Sequence, residues 1–83
     1  SLATQLKGII GSSLLDIAGG SGRYSIEISN EIPTCECSIM ELPSLTKVLP
    51  KYLNQSPKKI KIISGDIFES IPLGFDTHLF CDT

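Results

Sequence analysis

The chain has 83 residues, 41% hydrophobic and 19% charged, with a formal charge of −2, no Trp and few aromatics. That is one domain at most, burying only about 60% of the surface its unfolded form exposes, with no large aromatic core. The negative balance argues against nucleic acid as a partner, and no apolar run approaches the roughly 18–20 residues of a membrane span.

Residues 1–7 read as the tail of an amphipathic segment, with Leu2 and Leu6 at helical spacing and no signal-peptide pattern. Residues 8–13 read as a loop, and the apolar run at 14–18 is the first predicted strand. It contains Asp16 and leads into glycines at 19, 20 and 22. Glycines after a buried strand let the backbone take positive φ and let a ligand lie against the main chain. At the helix start expected next, unpaired N–H groups favour polar or anionic ligand groups. Such an arrangement binds nucleotide-like cofactors. Residues 24–29 alternate apolar and polar as a strand would, yet Tyr24, Ile28 and Ile32 also fall at i, i+4 and i+8. The glycine loop decides for a helix over 22–31, ended by Pro33.

The second strand is expected within 34–41. Three cysteines, 35, 37 and 81, make no disulfide framework and point to a reducing, cytoplasmic setting. Cys35 and Cys37 would share one side of a strand. With His78 the lone histidine they make no metal set, so they read as buried strand residues. Pro43 suits the first turn of a helix running through Leu45, Val48, Leu49 and Leu53, and Pro50 should kink or split it. Residues 59–64 read as the third strand, 65–72 as a functional loop with a helical turn, 74–75 as a turn and 77–81 as the fourth strand. Lys58, Lys59 and Lys61 lack interleaved aromatics and read as a solvated strand entrance. The connections between the first three strands are too long for hairpins. The expected fold class is therefore α/β, a doubly wound parallel sheet in order 3-2-1-4 with right-handed crossovers.

Three segments in order, LLDIAGGSG, SIMELPSL and GDIFESIP, resemble the O-methyltransferase branch of the class I S-adenosylmethionine-dependent methyltransferases. That branch includes caffeate-type and antibiotic-tailoring enzymes, and the resemblance runs from about Ser13 to the C-terminus. It implies a Rossmann-like sheet, S-adenosyl-L-methionine as cofactor, a small-molecule hydroxyl as methyl acceptor and a homodimeric parent. Onto this chain it carries the following cofactor-binding roles. Asp16, with the loop backbone at Ala18, Gly19, Gly20 and Gly22, holds the amino-acid end. Glu41, followed by Leu42, accepts the ribose hydroxyls, with ELP standing where the family usually has DLP. Asp66 points at the adenine amino group, flanked by Ile67 and Phe68. Plainer readings stand beside these: a helix-capping Asp16, a surface Glu41 at a helix start, and a simple turn at Gly65 and Asp66. Ser21 and Arg23 carry no assignable role.

The chain departs from the family in two places. Cys81 stands where relatives often have a lysine. The family's base, a histidine paired with an aspartate, lies just beyond the fourth strand, about where Asp82 and Thr83 end this sequence. His78 falls several residues early and reads as a strand histidine with a local partner. No catalytic residue is therefore assigned, and residues 1–83 read as a partial, inactive S-adenosylmethionine-binding part of a methyltransferase domain. Two other readings remain. One is an NAD- or FAD-binding module, because Gly20-Ser-Gly22-x-x-Ser25 nearly fits G-x-G-x-x-G/A with Glu41 about 20 residues on; Asp16 and GDIF speak against it. The other is a binding or scaffold domain without chemistry.

Overall fold

The strand that carries Asp16 is the middle of the sheet. β1 (Ser13–Ile17) pairs in parallel with β2 (Glu36–Glu41) on one side and with β4 (Thr77–Phe80) on the other. β2 in turn pairs in parallel with β3 (Lys61–Ser64), giving the order β3-β2-β1-β4 that the sequence predicts. These features belong to a computed structural model, which describes residues 5, 8–18, 22–54 and 60–80. Gly19, Gly20, Cys81 and most of the N-terminal segment lie outside the described residues.

Strand alternation divides the apolar side chains between two faces. Leu14, Cys37 and Ile39 pack with Ile28 of the first helix, α1 (Arg23–Glu31), with Ile32 just past its end, and with Leu49 further on. Leu15, Ile17 and Met40 look the other way and are covered by Ile63, Ile67 and Phe75. The reason lies in the chain path. From β1 to β2 to β3 the chain moves one way across the sheet, and from β3 to β4 it returns. Crossovers of a single hand then put the outgoing and returning connections on opposite faces. The helices cover one face, and the 65–76 connection covers the other.

Ambiguity over residues 24–32 resolves as a helix because Ser25, Ile28 and Ser29 form its buried face, while Tyr24 is only half-buried. Pro50 splits the next helical region in two, α2 (Pro43–Thr46) and α3 (Leu49–Leu53). Lacking an N–H, it cannot continue a helix across Thr46, and it sits instead in the first turn of α3. Three expected boundaries shift. Ala18 is not the last strand residue, because its φ of 57° takes it out of extended geometry. Ser13 joins β1 rather than the loop before it. Cys35 is buried but lies one residue ahead of β2, whereas Cys37 lies within it. No disulfide joins them to each other, and the described residues hold no cluster of metal-ligating side chains.

The amino end of the sheet is fastened by side chains. Asp76 Oδ2 accepts hydrogen bonds from the Ser12 N–H (2.8 Å) and the Ser12 hydroxyl (2.9 Å), and the Asp76 N–H donates to Ser13 Oγ (2.8 Å). Thr77 Oγ1 donates to the Ile10 carbonyl beside them. Gly11, at φ +78°, leaves room for this clasp, since a Cβ there would lie 2.7 Å from that of Asp76. These bonds hold the entrances of β1 and β4 together across 64 residues of sequence.

Candidate functional site

In an open parallel sheet, ligands gather at the carboxyl ends of the strands where the strand order reverses, here around β1. Asp16 is the last residue but one of β1, opposite Ile39 and Leu79. Its side chain is 1% exposed. Asp16 Oδ2 accepts a hydrogen bond from the Ser25 hydroxyl at 2.9 Å, from the third residue of α1. Asp16 Oδ1 is buried with no hydrogen-bond partner among the described residues. An unpaired buried carboxylate oxygen costs a folded protein more than an ordinary missing bond. Burial pushes the Asp16 carboxyl above the usual carboxylate range, the Ser25 hydroxyl opposes that shift, and the charge of Glu41 adds to it.

Past Asp16 the backbone turns at once. Ala18 holds a left-handed conformation unusual for a residue with a side chain, and its N–H donates to the Met40 carbonyl at 2.8 Å. Glu41, last in β2, is buried, and its Oε1 accepts the Leu42 N–H at 3.0 Å. The Gly65 N–H donates to the Glu41 carbonyl (3.0 Å), so the ends of β2 and β3 stay side by side. Together Ala18, Glu41, Leu42, Gly65, Ile67 and Phe68 line a cleft of about 170 Å³. Its walls are apolar apart from the Glu41 carboxylate. Such a slot takes a flat ring or a sugar edge rather than a whole dinucleotide, whose pockets start at about 300 Å³.

The structure thus gathers five of the sequence-predicted residues, Ala18, Glu41, Leu42, Ile67 and Phe68, into one cleft. Phe68 stands at its mouth, 92% exposed. Asp66 does not line the cleft, and its Oδ1 accepts the Phe68 N–H at 2.9 Å, the contact expected of the plain turn. Gly22 is buried under α3 at φ +81°, where a Cβ would come within 2.5 Å of Leu53 Cδ2 and 2.9 Å of Ile39 Cδ1. Its absent side chain serves close packing and the start of α1. Gly19 and Gly20 lie outside the described residues. His78 has the expected local partner, with Nε2 2.9 Å from the Pro72 carbonyl and the ring edge-on to Phe75.

Two residue roles escaped the sequence reading. Ser25 gave a signal only in hindsight, as a small polar residue on the buried stripe of α1. Gly65 was read only as the start of GDIF or of a plain turn; its packing role was not legible, because the neighbour that crowds a side chain there, Met40 Cε at 2.9 Å from a built Cβ, is 25 residues away. The assembled site is rich in acceptors, with Asp16, Glu41 and Asp66 all carboxylates and no described cation lining the cleft. It suits hydroxyls, amino groups and cations.

Comparison with known proteins agrees. A family model for the O-methyltransferase domain matches residues 2–81. The chain is 35% identical over 60 residues to chavicol O-methyltransferase from Ocimum basilicum, which covers 72% of this chain and 15% of that protein. Among solved structures, the mitomycin 7-O-methyltransferase MmcR superposes with a TM-score of 0.75 at 27% identity, over 83% of this chain and 21% of its own. The S-adenosylmethionine-dependent methyltransferase SibL shares the fold with a TM-score of 0.83 at 23% identity, over 95% of this chain and 24% of its own. The chain thus spans between a seventh and a quarter of the length of these proteins.

Proposed function

The chain belongs to the O-methyltransferase domain family, and on that premise we propose that the carboxyl end of its sheet binds S-adenosyl-L-methionine for methylation of a small-molecule hydroxyl. The observation that carries this reading is the apolar cleft with the Glu41 carboxylate in its wall, together with the buried Asp16 Oδ1 that has no partner among the described residues at the same end of the sheet. A ligand with hydroxyl, amino and sulfonium groups satisfies those acceptors, whereas the pyrophosphate of NAD or FAD would bring like charge to Asp16 and Glu41. When bound, the cofactor supplies a methyl group on a positively charged sulfur.

In this reading each residue has one task. Asp16 takes the amino-acid end through Oδ1, with the backbone at Ala18, Gly19, Gly20 and Gly22. Glu41, whose Oε1 already accepts the Leu42 N–H, orients its carboxylate to the ribose hydroxyls. Leu42, Ile67 and Phe68 give the base apolar walls, and Asp66, fixed by its turn, offers the base its remaining carboxylate oxygen. Proton removal from the acceptor falls to a group outside the described residues, since His78 is held by the Pro72 carbonyl. The chain is the cofactor-binding part of a longer, homodimeric methyltransferase domain working in the cytoplasm. The odd number of cysteines fits a reducing setting, and no described helix is long and apolar enough to cross a membrane.

Calorimetric titration with S-adenosylhomocysteine and, separately, with NAD tests the proposal. Weak binding of the first and none of the second is the expected result. Binding of NAD alone would install the dinucleotide reading, and binding of neither would leave only a scaffold. Incubation with methyl-labelled cofactor and a panel of phenols should give no transfer from the isolated chain.

A further inference from the structure

Ser25 sits at the centre of this end of the molecule, yet the proposed cofactor contacts do not use it. It is fully buried, on the third position of α1, and its hydroxyl donates to Asp16 Oδ2 at 2.9 Å. The bond spans nine residues and closes the chain between the end of β1 and the first turn of α1, across the glycine-rich segment. Asp16 is thereby held by one oxygen, with the other left without a partner among the described residues. From the surrounding elements, α1 presents Ser25, β2 presents Ile39 and the Glu41 charge, and β4 presents Leu79. Among the described residues no cation acts on Asp16.

We propose that Ser25 is a positioning residue: its hydroxyl, bonded to Oδ2, keeps the proton off Asp16 so that Oδ1 stays an acceptor for a positively charged or hydrogen-donating group of the ligand. Ligand capture through Oδ1 rests on the functional reading above; the Ser25–Asp16 strut does not. The physical case is simple. Burial and the nearby Glu41 both favour the protonated acid, and a protonated Asp16 would present a donor where the ligand also brings one. The Ser25 hydroxyl is the opposing influence, since a hydrogen bond to the charged form favours that form. Remove it, and Asp16 keeps its proton to higher pH. Ligand binding then falls only where the acid is protonated and recovers once it is not.

The test pairs two readouts on the full chain. The first is the Asp16 carboxyl carbon followed by NMR against pH in the free protein, and the second is S-adenosylhomocysteine affinity across the same range. In Ser25→Ala the carboxyl midpoint should move to higher pH. Affinity should fall about tenfold between the two carboxyl midpoints, where the variant is protonated and the parent ionised, the scale of one hydrogen bond to a charged group, and return to within about twofold of the parent above both midpoints. An unmoved midpoint, or an equal loss at every pH, would overturn the proposal and leave Ser25 as packing alone. If Ser25→Ala does not fold, Asp16→Asn decides: with no titrating acid, the acid limb of binding must flatten, and a limb that persists overturns the proposal. If the parent chain binds no S-adenosylhomocysteine at all, the functional reading falls, while the carboxyl midpoint still upholds or overturns the strut.

Discussion

The two ends of the sheet treat the same side chain in opposite ways. At the amino end Asp76 is exposed, and its Oδ2 accepts hydrogen bonds from the Ser12 N–H and hydroxyl, which hold its pKa below the usual carboxylate range. At the carboxyl end Asp16 is buried, half-satisfied and pushed above that range. One end spends its polar groups on holding β1 to β4. The other keeps one acceptor, Asp16 Oδ1, unpaired among the described residues at a cost in stability, next to a left-handed alanine and an apolar cleft. Strain and unmet hydrogen-bonding capacity collect where a ligand would relieve them.

The largest expected break in this contrast is at Gly22. Gly22→Ala puts a Cβ into Leu53 and Ile39 and forces alanine to φ +81°. A left-handed alanine costs about 1–2 kcal/mol and overpacking about 1–3 kcal/mol more. Chemical denaturation should therefore show a loss of roughly 2–5 kcal/mol, most of the stability of so small a domain. Gly74→Ala, at φ +98° with nothing near its built Cβ, carries only the conformational part of that penalty and is the control.

Glu41→Ala comes next and strikes function rather than folding. Losing hydrogen bonds to a charged acceptor should weaken S-adenosylhomocysteine binding by about 1.5–3 kcal/mol, read by calorimetry. Undiminished affinity would remove the ribose assignment.

Much of this was legible in the sequence, and what was not has a physical reason. β1, the two crossovers and the split at Pro50 followed from local signals: an apolar run, connection lengths and a missing N–H. Glu41, Ile67 and Phe68 were singled out by the family resemblance, and the parallel pairing of β2 with β3 brings their segments to one cleft. The clasp was invisible, because Ser12 and Asp76 are 64 residues apart and each is an unremarkable loop residue alone. Ala18 was misjudged for a related reason. Alanine carries no preference that would announce a left-handed turn, and the tie of its N–H to Met40 exists only once β2 is in place.

Asp16→Asn sharpens the contrast through stability. Because burial raises the Asp16 pKa, the folded chain binds more protons than the unfolded one between the ordinary carboxylate value and the raised one. Stability falls as pH rises through that window and then stays low. The neutral variant escapes that loss. Its Tm should exceed the parent's at pH 7 and match it more closely at pH 3, while its affinity for S-adenosylhomocysteine falls.

Asp76→Ala should show the opposite sign and a smaller effect. A lowered pKa contributes stability that is present above the ordinary carboxylate value and lost as pH falls through the folded one. Replacing Asp76 should lower Tm slightly at pH 7, change little at pH 2, and speed amide exchange at Ser12 without altering ligand affinity.

Backbone amide shifts recorded during titration with S-adenosylhomocysteine test most directly whether the carboxyl end is the ligand site. Changes should concentrate at Ala18, Glu41, Leu42, Gly65, Ile67 and Phe68, with Ser12 and Asp76 unmoved. Changes centred on Ser29, Cys35, Cys37 and Lys61, which line the hollow at the other end of β2, would contradict that assignment.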